Sequence, residues 1–149
     1  MKTAELTLHE LYTEDETAWL DAMAELVRLG LRDDLDFPNL LEFLTDMARR
    51  DRREVESRLI VLMLHILKWL YQPEQRSRSW QLSIAVQRQE LQAETGKGVL
   101  RQHAEAMLGE LYLKAVERAC IETGLPTESF PAECPFTLDD LLTFAPDAV

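Results

Sequence analysis

Residues 59 to 71 read Leu-Ile-Val-Leu-Met-Leu-His-Ile-Leu-Lys-Trp-Leu-Tyr, and only His65 and Lys68 among them are neither apolar nor aromatic. At about 100° per residue, such a run spreads apolar groups around nearly the whole circumference of a helix. A helix of that kind has to be surrounded. Toward the N-terminus, Phe37, Leu41, Leu44, Ala48, Val55, Leu59, Leu62, Ile66 and Leu70 keep one helical phase through the polar run Arg49-Arg50-Asp51-Arg52-Arg53-Glu54. A loop there would reset the phase. The spacing therefore predicts one helix from about residue 37 to 71, roughly 50 Å long. Asp36, ahead of Phe37 and Pro38, suits its N-cap, and Pro73 ends it.

The flanking segments also read as helices. Thr7 with Glu10, and Thr13 with Glu16, have the spacing of a capping box, so a first helix begins at one of them and runs to Gly30. After Pro73 a connection over Glu74 to Ser79 offers Ser77 or Ser79 as the next N-cap. A third helix then carries Trp80, Ile84 and Leu91 and is punctuated by Gly96 and Gly98. The fourth shows a wide apolar stripe from Leu100 to Cys120, closed by Gly124 with Pro126 beyond. From about residue 125 the chain is proline-rich yet apolar, so it is expected to lie across the other helices. Thr137, Asp139 and Asp140 start one last short helix through Leu142. No segment alternates with the period of a strand. The fold expected is all-α: an up-and-down bundle of about four main helices with one long central helix, a single domain over residues 1–149.

Composition narrows the function. The 149 residues are 46% hydrophobic and 29% charged, the balance of an ordinary globule, with a net charge of −11 that argues against binding a phosphate backbone. Residues 1 to 36 carry 3 basic and 10 acidic side chains, residues 37 to 95 carry 9 and 8, and residues 96 to 149 carry 4 and 9. Only the middle is not acidic. The arginine run within it reads as a solvated face, with Asp46 to Arg50 and Glu54 to Arg58 spaced as i, i+4 ion pairs. The first residues lack an apolar leader, and no apolar run approaches the roughly 20 residues that span a bilayer, so no membrane partner and a cytoplasmic location are expected. Cys120 and Cys134 form no zinc or disulfide pattern and are expected free.

His65, Lys68, Trp69 and Gln72 fall at i, i+3, i+4 and i+7, one stripe of the long helix. With Arg76, Arg78, Trp80 and Arg88 they straddle the joint between the long helix and the next. Seven of these residues, His65, Lys68, Trp69, Arg76, Arg78, Trp80 and Arg88, form a candidate ligand-binding set that could hold a small phosphate or carboxylate. The competing reading places His65 and Lys68 against carboxylates such as Glu54, Glu56 or one on the first helix, with the tryptophans in the core. No Glu precedes His9, His65 or His103 by three, so no metal is expected. His9 and His103 read as surface groups. No serine elbow, cysteine–histidine pair or glycine-rich phosphate loop is present, so neither a catalytic residue nor a cofactor is assigned.

Several blocks together resemble a known family: Leu11-Tyr12 with Asp15 and Trp19-Leu20, Glu56-Ser57-Arg58-Leu59, His65 with Lys68-Trp69 and Tyr71-Gln72-Pro73, Arg76-Ser77 with Ser79-Trp80, Gln87-Arg88, Glu122-Thr123-Gly124-Leu125-Pro126, and Phe130-Pro131 with Cys134-Pro135. Over about residues 8 to 142 they are similar to the bacterial domain of unknown function family number 29. Where that pattern has an aromatic after Asp15, this chain has Glu16 and Thr17. The resemblance implies a cytoplasmic, all-helical protein and implies no activity. The reading that follows is a non-enzymatic helical interaction module whose partner is another protein or a second copy of the chain. The alternative is a small-molecule or phosphoanion-binding protein, conceivably an enzyme, using the basic and aromatic corner.

Overall fold

Thr7 starts the first helix as its spacing to Glu10 demands. Its hydroxyl accepts the Glu10 N–H at 3.2 Å while the Glu10 carboxylate accepts the Thr7 N–H at 2.8 Å, opening α1, Leu8–Glu14. The computed structural model describes residues 5–147, and these are helical with short connections and no strand. The first helix does not run on to Gly30, as its apolar spacing suggests. Asp15 leaves the helical conformation at φ −152° and ψ 83°, accepts the Ala18 N–H at 3.1 Å, and begins α2, Glu16–Arg28. A short carboxylate serves an N-cap better than a helix interior, so Asp15 and not Thr13 decides the boundary. Gly30 does end α2. At φ 72° it sits in the left-handed region, its N–H reaching Val27 O at 3.0 Å and the Leu31 N–H reaching Leu26 O at 2.9 Å.

The long helix α3 spans Phe37–Tyr71, 35 residues without a break. Its polar middle stays helical through ion pairs along its own surface: Arg58 Nη2 to Glu54 Oε1 at 2.9 Å, and Arg49 to Asp46 at 3.7 Å, one step closer in sequence than the expected Arg50 pair. Pro73 ends it in a 3-10 turn, Pro73–Gln75. Ser77 then caps α4, Arg78–Thr95, by accepting the Trp80 N–H at 3.2 Å. Next come α5, Val99–Thr123, closed by Gly124 at φ 73°, and α6, Leu138–Thr143, opened by Thr137 with a capping box to Asp140. The described residues thus hold six α-helices, because the expected first helix is two.

The chain divides into two compact units, one reaching to Arg49 and the other running from Arg50. The first is built on Trp19, fully buried, with its ring against Tyr12 at 4.8 Å and Phe43 at 5.8 Å. Its indole N–H donates to Asp36 Oδ2 at 3.1 Å, and Asn39 Nδ2 donates to the same oxygen at 2.7 Å. Burial pushes the Asp36 carboxyl up. The hydrogen bonds from Asn39 and Trp19 outweigh that and hold it below the usual carboxylate range. The second unit has a continuous apolar core from α3, α4, α5 and α6, in which Leu59, Leu62, Ile66, Ile84, Leu91 and Leu111 are fully buried. Beyond Gly124 the chain is tied to this unit through its backbone. Tyr112 Oη donates to Pro131 O at 2.6 Å, Arg88 to Phe144 O at 2.5 Å, Gln92 to Leu142 O at 2.6 Å and Gln81 to Asp147 O at 2.8 Å. Among the described residues no helix is long and apolar enough to cross a membrane.

Candidate functional site

Lys68 lies in the last turn of α3, and its side chain is only 12% exposed because its methylenes lie along the core before the ammonium emerges. The partner of that ammonium is Glu122 in the last turn of α5, Nζ to Oε2 at 2.6 Å, and not Glu54, Glu56 or a carboxylate of the first helix. Fifty-four residues separate the two in sequence, so no local spacing could show the pair. The same Nζ stands 4.6 Å from the centroid of the Trp80 ring. Trp80 is there because Ser77 fixes the first turn of α4 so soon after Pro73.

Between these groups opens a cleft of about 490 Å³ lined by Lys68, Gln72, Gln75, Trp80, Glu122 and Thr123. Gln72 Nε2 reaches Thr123 O across its floor at 3.5 Å. A paired cation and anion beside an aromatic face and two amides can hold a polar, neutral or zwitterionic group.

The other candidate residues go elsewhere. His65 Nδ1 lies 2.8 Å from Val61 O, one turn back in its own helix, so Nδ1 carries the proton there. Trp69 is buried in the core at 3% exposure. Arg76 donates Nε–H to Trp69 O at 2.9 Å and stacks its guanidinium 4.9 Å from the Trp69 ring, which locks the turn after α3. Arg88 holds the carbonyl of Phe144, and Arg78 is exposed at the first position of α4. The structure thus brings Lys68 and Trp80 together at the cleft and places His65, Trp69, Arg76, Arg78 and Arg88 away from its lining. Gln75, Glu122 and Thr123 also line it; Glu122 and Thr123 belong to a block that carries the family resemblance, but nothing in their spacing points to a site.

A second polar cluster lies on α3 and α4. Arg58 faces Glu54 at 2.9 Å, Glu94 at 3.8 Å and Glu90 at 3.9 Å, and donates to Gln87 Oε1 at 3.2 Å. Three carboxylates around one guanidinium leave an excess of negative charge. Burial, followed by the charge of Glu54, pushes the Glu94 carboxyl above its usual range, and its Oε2 is buried without a partner. His103, expected at the surface, has a side chain only 23% exposed, with Nε2 buried 3.6 Å from Glu56 Oε2. It starts a turn on the inward side of α5, which the neighbouring Arg101 and Gln102 conceal in the sequence. Among the described residues no group of three or more His, Cys, Asp or Glu is arranged to hold a metal ion.

The sequence model of the family described as "Domain of unknown function DUF29" matches residues 11–145. The chain belongs to this family. No curated protein and no solved structure matches it. The DUF29 match covers both compact units, so the part of the molecule before Arg49 is as much the family's as the core-rich part after it.

In that first part the DUF29 chain carries a feature of another kind. Leu26, Val27, Gly30, Arg32, Leu35 and Phe37 line an apolar groove of about 420 Å³ between the end of α2 and the start of α3. Phe37 is 58% exposed, Leu41 69% and Leu44 57%, although they share the helical phase of Val55, Leu59, Leu62 and Ile66, all fully buried. The stripe is continuous in phase and interrupted in burial. Before Arg49, α3 turns a different face inward, with Asn39 buried and Leu40, Phe43 and Met47 partly so.

Proposed function

We propose that this DUF29 protein is a non-enzymatic, cytoplasmic interaction module, an up-and-down helical bundle with its proline-rich tail laid against it. It receives a helix of another protein in the groove between α2 and the start of α3. Burial is the observation that carries the reading. Among the described residues before Arg49 two apolar side chains are buried, Trp19 and Met23, while seven large ones stand exposed, Val27, Phe37, Leu41 and Leu44 among them. Such a group exposes on the order of several hundred Å² of apolar surface, the range that marks protein–protein sites. Covering one leucine or phenylalanine fully contributes about 1.5–3 kcal/mol, so four of them supply enough for a specific complex.

The test is the double variant Leu41→Glu with Leu44→Glu in the full chain. The expected result is an unchanged thermal midpoint and helical content together with loss of ANS fluorescence enhancement and of partner cross-linking. Unfolding of the variant would sink the reading, since it would mean that the chain itself covers this face.

A second reading rests on the cleft at Lys68 and Trp80. With Lys68 paired to Glu122, the site suits a small polar or zwitterionic molecule better than a bare anion. Thermal stabilisation by metabolites, abolished in Lys68→Ala but kept in Arg78→Ala, supports that use. The absence of any shift across phosphates, nucleotides and amino acids removes it.

A further inference from the structure

We infer that a cleft between α3 and α5 binds the phosphate group of a small phosphomonoester, at a place separate from the Lys68 cleft and independent of the docking reading above. Its residues come from two helical stripes of the second unit. Arg53, Glu56, Ser57 and Ile60 fall at i, i+3, i+4 and i+7 of α3, and Leu111, Lys114 and Arg118 fall at i, i+3 and i+7 of α5. Each set therefore shares one side of its helix. Together they line a cleft of about 300 Å³, at the small end of the range for ligand sites. Ile60 and Leu111 are buried and give it an apolar floor, while Arg53, Ser57, Lys114 and Arg118 are exposed along its sides.

Charge selects the ligand. Among the described residues no carboxylate pairs with Arg53, Lys114 or Arg118, and the Ser57 hydroxyl has no hydrogen-bond partner. Arg58, Lys68 and Arg101 in the same unit do meet carboxylates. Glu117 lies between Lys114 and Arg118 in the sequence and lines an adjoining hollow with them, yet pairs with neither. The one carboxylate of the cleft, Glu56, has its Oε2 3.6 Å from His103 Nε2. Three cations less one carboxylate leave two positive charges, in a chain whose net charge is −11. A phosphomonoester carries about −1.5 to −2 at pH 7 and offers three acceptor oxygens, which match two guanidinium groups, an ammonium and a hydroxyl. A single carboxylate leaves part of that charge unanswered. A nucleic acid is repelled by the acidic remainder of the molecule. An acidic helix outruns the cleft, since Arg53 to Ile60 spans only about 10 Å.

Calorimetric titration of the full chain at low salt with phenyl phosphate, inorganic phosphate and benzoate tests this. Phenyl phosphate is expected to bind at least about threefold tighter than inorganic phosphate, because its ring meets the floor at Ile60 and Leu111. Benzoate, with one charge, is expected to bind weakest. Arg53→Ala and Arg118→Ala should each weaken phenyl phosphate about tenfold. Glu56→Gln should strengthen it about threefold by removing the repelling charge. Arg78→Ala, which removes the same kind of charge at the first position of α4, should leave it unchanged. The cations removed are exposed, so an unchanged thermal midpoint accompanies each loss. No binding of phenyl phosphate at about 10 mM overturns the inference, as does an equal loss in Arg78→Ala. Binding abolished by Lys68→Ala and kept in Arg53→Ala places the anion in the Lys68 cleft and overturns it too. So does capture of a Glu-rich peptide, lost in Arg53→Ala, with no response to either phosphate, because the face is then a protein-docking surface.

Discussion

Residues 5–49 are held together around one buried indole and one buried carboxylate, whereas residues 50–147 share an apolar core of 22 buried side chains. The difference sets what each part can do. A unit with two buried apolar side chains and a polar network at Asp36 has little hydrophobic stabilisation of its own and leaves much of its apolar area uncovered. In the unit with the large core, three of the candidate cations are committed to internal partners. Lys68 is tied to Glu122, Arg76 to Trp69 and Arg88 to Phe144.

The sharpest way to break this comparison is to cut each unit at its centre. Leu111→Ala empties a fully buried site in the second unit and is expected to cost about 3–5 kcal/mol in urea unfolding. Asp36→Ala leaves the Trp19 N–H and the Asn39 amide without their acceptor, a loss of about 2–3 kcal/mol. Hydrogen exchange should place that loss in residues 8–49 and leave amides near Leu59 and Leu111 as protected as before. Equal loss of protection in both regions would end the distinction. Because the folded Asp36 carboxyl lies below its unfolded value, its contribution is present at neutral pH and disappears as pH falls below the usual carboxylate range.

Glu94 has the opposite sign. Its folded pKa lies above the unfolded one, so the protonated form favours the fold, and its contribution is lost as pH rises from the ordinary glutamate range through the folded value. Glu94→Gln is therefore expected to raise stability by about 1 kcal/mol at pH 7 and to change nothing near pH 4, read from thermal midpoints at the two pH values. A smaller effect is expected at the cleft. Glu122→Gln weakens an ion pair whose acid is half exposed and should cost less than about 1 kcal/mol. The smallest belongs to the exposed stripe at the start of α3: Leu41→Glu should leave stability within about 0.5 kcal/mol.

Much of the helical framework is legible in the residues. Pro73, Ser77, Gly30, Gly124 and the Thr137 capping box each mark a helix end through local chemistry that works within four residues, and the unbroken phase from Phe37 to Leu70 marks the long helix. Asp15 is the exception. Its capping competes with an apolar spacing that suits one long first helix, and the cap prevails because its side chain satisfies the otherwise unpaired Ala18 N–H. The candidate site is far less legible. Lys68 and Trp80 are recognisable as a basic residue and an aromatic beside a proline turn, but Glu122, which decides what charge the cleft presents, lies 54 residues from its partner.

The sequence by itself determined the helices, because capping, proline and glycine effects and the helical period are short-range. It also determined the uneven charge, which is a matter of counting. Only the tertiary structure decided which stripe is covered. Phe37, Leu41 and Leu44 carry the same pattern as Val55, Leu59 and Leu62, and periodicity records the face a side chain points from and not whether anything stands opposite. Burial depends on neighbours from distant segments, and after Arg50 the helices α4, α5 and α6 supply them for that stripe, while before Arg49 the chain leaves it exposed.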